Sequence, residues 1–165
     1  MRKVLGALAR RWLVLHEEIK GHTRALKNLT ATAAPRLVDA FGIGFDNAAK
    51  MLVTAGDNAN RIRSEAALAK LCGACPIPAS SGRTSGRHRL NRGGNRQANA
   101  ALYRVVIVRM RWHAPTQAYF ARRTAEGLSK KDIIRCVKRY VVREIDRLLP
   151  RSGTDPSLEH KLDNL

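Results

Sequence analysis

The stretch PIPASSGRTSGRHRLNRGGNRQ sets two adjacent serines, Ser80 and Ser81, ahead of Gly82 and then Arg83, Arg87, Arg89, Arg92 and Arg96. A serine hydroxyl is a poor nucleophile until its proton is removed and its target is polarised. If the target is a phosphodiester, its anionic oxygens repel attack and the transition state gathers charge. Clustered guanidinium groups answer both problems, by electrostatic stabilisation and by bidentate geometry. The same pattern, Ser-Gly beside arginines, also describes loops that hold phosphate passively, which is the commoner use of it.

Two other chemistries compete for these residues. Cys72-Gly-Ala-Cys75 has CxxC spacing, and Cys136 with a histidine could complete a zinc site. A second close-spaced pair is absent, which counts against zinc. A Ser/His/Asp hydrolase is weaker still. His88 and His113 sit among arginines, and no Asp occurs between residues 58 and 131.

Charge narrows the field further. The chain has 31 Lys and Arg against 13 Asp and Glu, a net +18 over 165 residues. Between Glu65 and Glu126 there are eleven basic residues and no acid. So much uncompensated charge calls for an anionic partner, and a phosphate backbone is the natural one. Three cysteines are too few for a disulfide framework, which points to a reducing cytoplasm. No apolar run is long enough to cross a bilayer. The start MRKVLGALARRW has only six apolar or small residues before Arg10 and Arg11, so a signal peptide is rejected.

The elements that must position the serine segment are mostly helical. Leu5, Leu8, Trp12, Leu15, Ile19, His22, Leu26 and Leu29 recur at heptad spacing, giving one apolar seam over residues 1–33. That seam fits either a coiled coil or an amphipathic helix packed on the chain's own core. The pattern breaks over Thr30–Pro35. LVDAFGIGFDNAAKMLVTAGD then reads as helix, Gly42-Ile43-Gly44 turn, helix, with Asp46 or Asn47 starting the second helix. In such a helix-hairpin-helix, Gly42 and Gly44 allow the turn and backbone N–H groups can hold a phosphate. A third helix is expected from Ser64 to about Cys72, and residues 73–97 have the composition of a long basic loop. ANAALYRVVIVRMRW suits helix or strand, with its alanines favouring helix. A short helix over Thr116–Ala125 and a last one opening at Ser129 follow. The last helix has an apolar face of Ile134, Val137, Val141, Ile145 and Leu148. Lys131, Arg135, Arg139, Arg143 and Arg147 form a basic stripe opposite, either solvated or set against phosphate.

Several of these strings, in order, resemble the carboxy-terminal domain of the insertion sequence 110 (116/902) family of transposases. They are the Phe41–Gly44 turn, GACPIPASSG, HRLNRGGNRQAN with ALYR, and ARRTAEGLSKKDIIRCVKRYVVREI, together covering about residues 35–149. The resemblance implies that Ser81 is the nucleophile and that a phosphoserine links protein to DNA. It implies recombination directed by a structured bridge RNA. It also places a divalent metal, magnesium, in an amino-terminal acidic domain for which this chain has no counterpart, and matches the heptad helix to a coiled coil. Departures are FGIG where a proline often precedes the glycine, and Ala98-Asn99 in place of Leu-Arg.

The expected protein is therefore mostly α. A coiled-coil helix (1–33) mediates homo-oligomers, a helical transposase domain (34–150) follows with a helix-hairpin-helix and a long basic loop, and a polar tail (151–165) ends the chain. Ser81 is the expected catalytic residue. Gly42, Gly44, Gly82, Arg83, Arg87, Arg89, Arg92, Asn95, Arg96 and Arg104 are expected to meet DNA or RNA. No cofactor is expected within the chain itself. The expected setting is the bacterial cytoplasm, at the nucleoid. The alternatives are a catalytically silent nucleic-acid-binding remnant and another basic nucleic-acid-binding protein.

Overall fold

A computed structural model describes residues 2–56, 62–78, 88–91 and 93–150. Among these, the chain forms α1 (Arg2–Ala33), α2 (Pro35–Asp39), α3 (Phe45–Ala55), α4 (Glu65–Leu71), β1 (Pro76–Pro78), β2 (His88–Leu90), α5 (Arg96–Trp112), α6 (Ala114–Ala125) and α7 (Lys130–Leu148). The mostly α expectation holds. The polar tail lies outside the described residues.

The core is built around α5. Ala98, Ala101, Leu102, Val105 and Val106 recur at helical spacing and are all buried. That face packs on α3, α6 and α7, where Met51, Val137, Val141 and Ile145 meet it in one cluster. Each such side chain taken from water stabilises the fold by roughly 1.5–3 kcal/mol. The alternative of a strand here is excluded, and Asn95 shows why the helix begins where it does. Its Oδ1 accepts from the backbone N–H groups of Gln97 at 2.9 Å and Ala98 at 3.0 Å, which caps α5. In α7 the buried side is turned toward Ile133 and Val142, while Ile134 and Leu148 are half-buried. The expected capping at Ser129 is present: its Oγ accepts from Asp132 N–H at 3.3 Å and donates to Asp132 Oδ2 at 2.5 Å.

Helix boundaries follow local causes, at some places other than the sequence reading has them. α1 continues through Thr30 to Ala33, as the range 1–33 expected. Thr30 is buried, and its hydroxyl donates to the Leu26 carbonyl at 2.8 Å. The helix stops only at Ala34, where Pro35 disfavours helical geometry in the residue before it. α3 starts at Phe45 with Gly44 as its N-cap, so Asp46 sits in the first turn, where a carboxylate suits the helix dipole. α6 opens two residues earlier than expected, at Ala114, because Pro115 fits the first turn of a helix. Finally, the long loop contains a short antiparallel pair, β1 with β2, that composition did not signal.

α1 resolves one open choice. Leu5, Leu8, Trp12 and Ile19 are each about 60% exposed, between 61% and 62%. The seam therefore does not pack on the chain's own core; only the end near Thr30 does, against α2 and α3. At ~1.5 Å per residue the helix is about 48 Å long, and most of it stands clear of the body.

Candidate nucleic-acid interface and serine segment

Ser80, Ser81, Gly82, Arg83 and Arg87 lie outside the described residues, as do Arg92 and the side chain of Arg89. What the structure describes is the frame from which residues 79–87 depart and to which they return. β1 and β2 pair in the register Pro76 with Leu90, Ile77 with Arg89 and Pro78 with His88. Pro78 and His88 thus stand opposite each other at the two ends of the serine segment.

Below that pair the frame is tied by backbone. Helix α4 ends in the turn Cys72-Gly73, where Gly73 has φ +64°. Gly94, with φ +109°, lies against this turn so closely that a Cβ there would come within 2.6 Å of the Leu71 carbonyl oxygen and 2.8 Å of the Gly73 nitrogen. Only glycine fits both the conformation and the space. The Asn95 N–H donates to the Leu71 carbonyl at 2.6 Å. Asn99 closes the arrangement: its Nδ2 donates to the carbonyls of Cys72 at 2.8 Å and Gly73 at 3.2 Å. Its Oδ1 accepts from Lys138 Nζ of α7 at 2.8 Å. Burial lowers the Lys138 pKa from its ordinary value. Asn99, a departure from the family pattern, is therefore the bond between the serine frame and the core.

The turn at Phe41–Gly44 is fixed by a residue that sequence reasoning did not single out. Gly42 has φ +78° and packs on the Arg109 and Val108 side chains. Arg109 is only 6% exposed. Its Nε donates to the Phe41 carbonyl at 2.8 Å, and Nη1 and Nη2 donate to the two carboxylate oxygens of Glu144 at 2.6 and 2.8 Å. These donated bonds hold the Glu144 carboxyl below its usual range; partial burial opposes the shift, and the charges of Arg109 and His113 add to it. The signal was present in the sequence. Arg109 follows Val105 by four residues, on the apolar face of α5, and Glu144 interrupts the apolar side of α7. An arginine and an acid placed like that want each other.

The remaining expected contacts fall in three places. Gly44 faces open space at the start of α3. Arg96 is exposed in the first turn of α5, and Arg104 is half exposed, 3.5 Å from Asp46. Asn95 has its side-chain oxygen engaged in the cap of α5. The basic stripe of α7 is partly neutralised: Glu65 pairs with Arg139 and, at 3.3 Å, with Arg143, while Asp132 meets Arg135 at 2.7 Å. These contacts favour a structural role for that face.

Among the described residues no group of three or more His, Cys, Asp or Glu could hold a metal ion. Cys72 is buried and its thiol is pushed up to about 11, so it is held as an inert core side chain. No helix of the described residues is long and apolar enough to cross a membrane.

The described residues thus form a helical body around a basic helix, with β1 and β2 framing the serine-bearing segment. Residues 34–121 match the transposase IS116/IS110/IS902 family, and the chain belongs to that family. It is also 28% identical over 153 residues to the insertion element IS110 uncharacterized 43.6 kDa protein of Streptomyces coelicolor. That alignment covers 92% of this chain and 37% of the relative, so the chain spans little more than a third of the relative's length.

Proposed function

We propose that this chain is the DNA-binding, serine-bearing part of an insertion-sequence transposase, in which the Ser81 hydroxyl attacks a DNA phosphodiester. The observation that carries the reading is the family match across residues 34–121, which contains Ser81 and the arginines beside it. In the step, an O–P bond forms to Ser81 as an O–P bond of the DNA backbone breaks, so the ester is conserved and rejoining needs no nucleotide triphosphate. Arg83, Arg87, Arg89 and Arg92 neutralise the phosphate as charge develops. The rigid frame beneath Pro78 and His88 supports this by fixing where the segment starts and ends, and positioning of that kind removes much of a barrier. Gly42 and Gly44 present the Phe41–Gly44 turn to a neighbouring phosphate.

The described residues do not fit a divalent metal, so no step is derived through one. The resemblance places the metal in a separate acidic domain, and a structured bridge-type RNA directs the recombination. The heptad face of α1 joins copies of the chain.

The test is an adduct assay. The full chain is mixed with the acidic domain supplied in trans, the element's RNA, target DNA and magnesium. A protein–DNA species that survives denaturing electrophoresis is expected. Ser81→Ala abolishes it while leaving DNA affinity within about twofold, because one neutral hydroxyl adds little beside several arginines. Loss of the adduct in Ser80→Ala but not in Ser81→Ala would move the nucleophile by one residue.

A further inference from the structure

One surface of the core helix serves neither the core nor the serine frame. Along α5, Arg96, Ala100, Tyr103, Ile107 and Arg111 recur at steps of three and four, with Arg104 beside them. They therefore form a single ridge, turned away from the buried face of Ala98, Ala101, Leu102 and Val105. Arg96, Ala100, Arg104 and Arg111 are exposed and Ile107 is half-buried. Tyr103, mid-ridge, is 46% exposed. No acid occurs anywhere in the helix. Asp46 is shared between Lys50 at 2.6 Å and Arg104 at 3.5 Å. A fourth cation, Lys138, lies 5.3 Å from the centre of the Tyr103 ring.

We propose that this ridge binds an unpaired DNA strand leaving the serine segment, with a base stacked on Tyr103 and phosphates held by Arg96, Arg104 and Arg111. The proposal rests on the reading of the chain as a DNA-handling transposase domain and adds the state of the DNA and its path. Charge decides for a polyanion: three exposed arginines and a lysine line the ridge. The form of the ridge decides against a duplex. A helix is ~10–12 Å across with its side chains, and the major groove is about 12 Å wide, so only a free-standing helix enters it. Here α3 and α7 flank α5, as the Asp46–Arg104 and Lys138–Tyr103 contacts show, and both would strike the duplex backbone. A basic track with an aromatic ring in its middle is instead the arrangement that holds single strands. From Arg96 to Arg111 the ridge runs about 22 Å at ~1.5 Å per residue. The track begins at Arg96, beside the Gly94–Asn95 end of the serine frame.

Fluorescence anisotropy of the full chain with a labelled thymidine oligonucleotide, a duplex of equal length and a uridine oligonucleotide tests this. Tyr103→Ala should weaken binding to the thymidine strand by roughly tenfold and to the duplex by less than about twofold, and Tyr103→Phe should keep both, since stacking needs only the ring. Arg104→Gln with Arg111→Gln should reduce the log–log salt slope on the single strand by about 0.7 for each phosphate no longer neutralised. Melting of each variant checks that the fold is kept. Equal losses on duplex and single strand, or none on the single strand, overturn the proposal. A chain that binds duplex alone overturns it and leaves the DNA-handling reading standing. One that binds neither overturns both. Stronger, equally Tyr103-dependent binding of the uridine strand overturns the assignment to DNA.

Discussion

Arg109 and Glu144 form a two-pronged ion pair between α5 and α7, at 2.6 and 2.8 Å, and the third guanidinium donor of Arg109 holds the carbonyl of Phe41. One side chain therefore joins three elements: the central helix, the last helix and the glycine turn. Burying a guanidinium is costly unless its donors are matched, and here each nitrogen has a partner. Gly42 can approach Arg109 and Val108 because it has no side chain to hold it off.

Removing this clamp should destabilise the fold without altering its compactness. Arg109→Ala leaves the Phe41 carbonyl and a half-exposed Glu144 without their partner, at a cost of about 2–3 kcal/mol. Urea unfolding should show a lower midpoint with an unchanged slope. Arg109→Lys should recover only part of the loss, since a lysine cannot make the bidentate contact. An unchanged midpoint in Arg109→Ala would remove the clamp from the account.

The same pair sets a pH dependence. The Glu144 pKa is lowered in the folded state from its ordinary 4.5, chiefly by the bonds from Arg109. Below that ordinary value the unfolded chain binds the proton more readily than the folded one does. The contribution is thus complete above about pH 4.5 and fades as pH falls through the lowered folded pKa. Stability of the unsubstituted chain should fall more steeply on acidification than that of Glu144→Gln, as measured by urea midpoints from pH 6 down to about 3. Parallel curves would mean that Glu144 titrates as it does in the unfolded chain.

Much of this was legible beforehand, for reasons that can be named. The caps at Ser64 and Ser129, the alanines of α5 and the glycine turn are local signals, and local signals survive into the structure. Ser64 Oγ does accept from the Ala67 N–H, at 3.2 Å. What escaped notice was long-range. Asn99 looked like an incidental departure, because the groups it bonds lie 26 and 27 residues earlier in the chain. Arg109 was one basic residue among eleven until burial separated it from the rest. Lys131, Arg135, Arg139, Arg143 and Arg147 looked like one basic face because spacing on α7 says nothing about Glu65, whose pairing with Arg139 and Arg143 depends on α4 packing beside it.

The two basic regions should behave differently toward DNA. Replacing Arg87, Arg89 and Arg92 together with alanine should flatten the salt dependence of duplex binding, by about 0.9 in log–log slope for each phosphate released from its arginine. Replacing Arg135, Arg139 and Arg143 should change that slope less, because Asp132 and Glu65 offset two of those three charges. A larger change from the second triple would place the DNA on α7.

The exposed seam of α1 should drive self-association. Ile19→Asp should dissociate the chain in multi-angle light scattering while leaving the helical body folded, since Ile19 is 62% exposed and touches no core. A monomer at high micromolar concentration in the unsubstituted chain would sink the idea.

At the frame, Gly94→Ala should be among the most damaging single methyl additions available. The new Cβ would meet two carbonyl oxygens and an amide nitrogen within 3 Å, in a backbone conformation that alanine resists. We expect about 2 kcal/mol or more, hence a melting temperature lower by several degrees. Asn99→Leu should lower it as well, and Asn99→Asp less, because the acid keeps an acceptor for Lys138.

The pairing of Pro78 with His88 also bears on how this part of the molecule changes over generations. Since both ends of residues 79–87 are anchored to the same small platform, added or deleted residues between them leave the platform's own bonds intact. Doubling the length of such a tethered segment costs only about 0.6 kcal/mol in closure entropy. Residues 79–87 can thus be lengthened, shortened or exchanged while α4, α5 and α7 remain as they are. Diversification at this spot is nearly uncoupled from the survival of the fold.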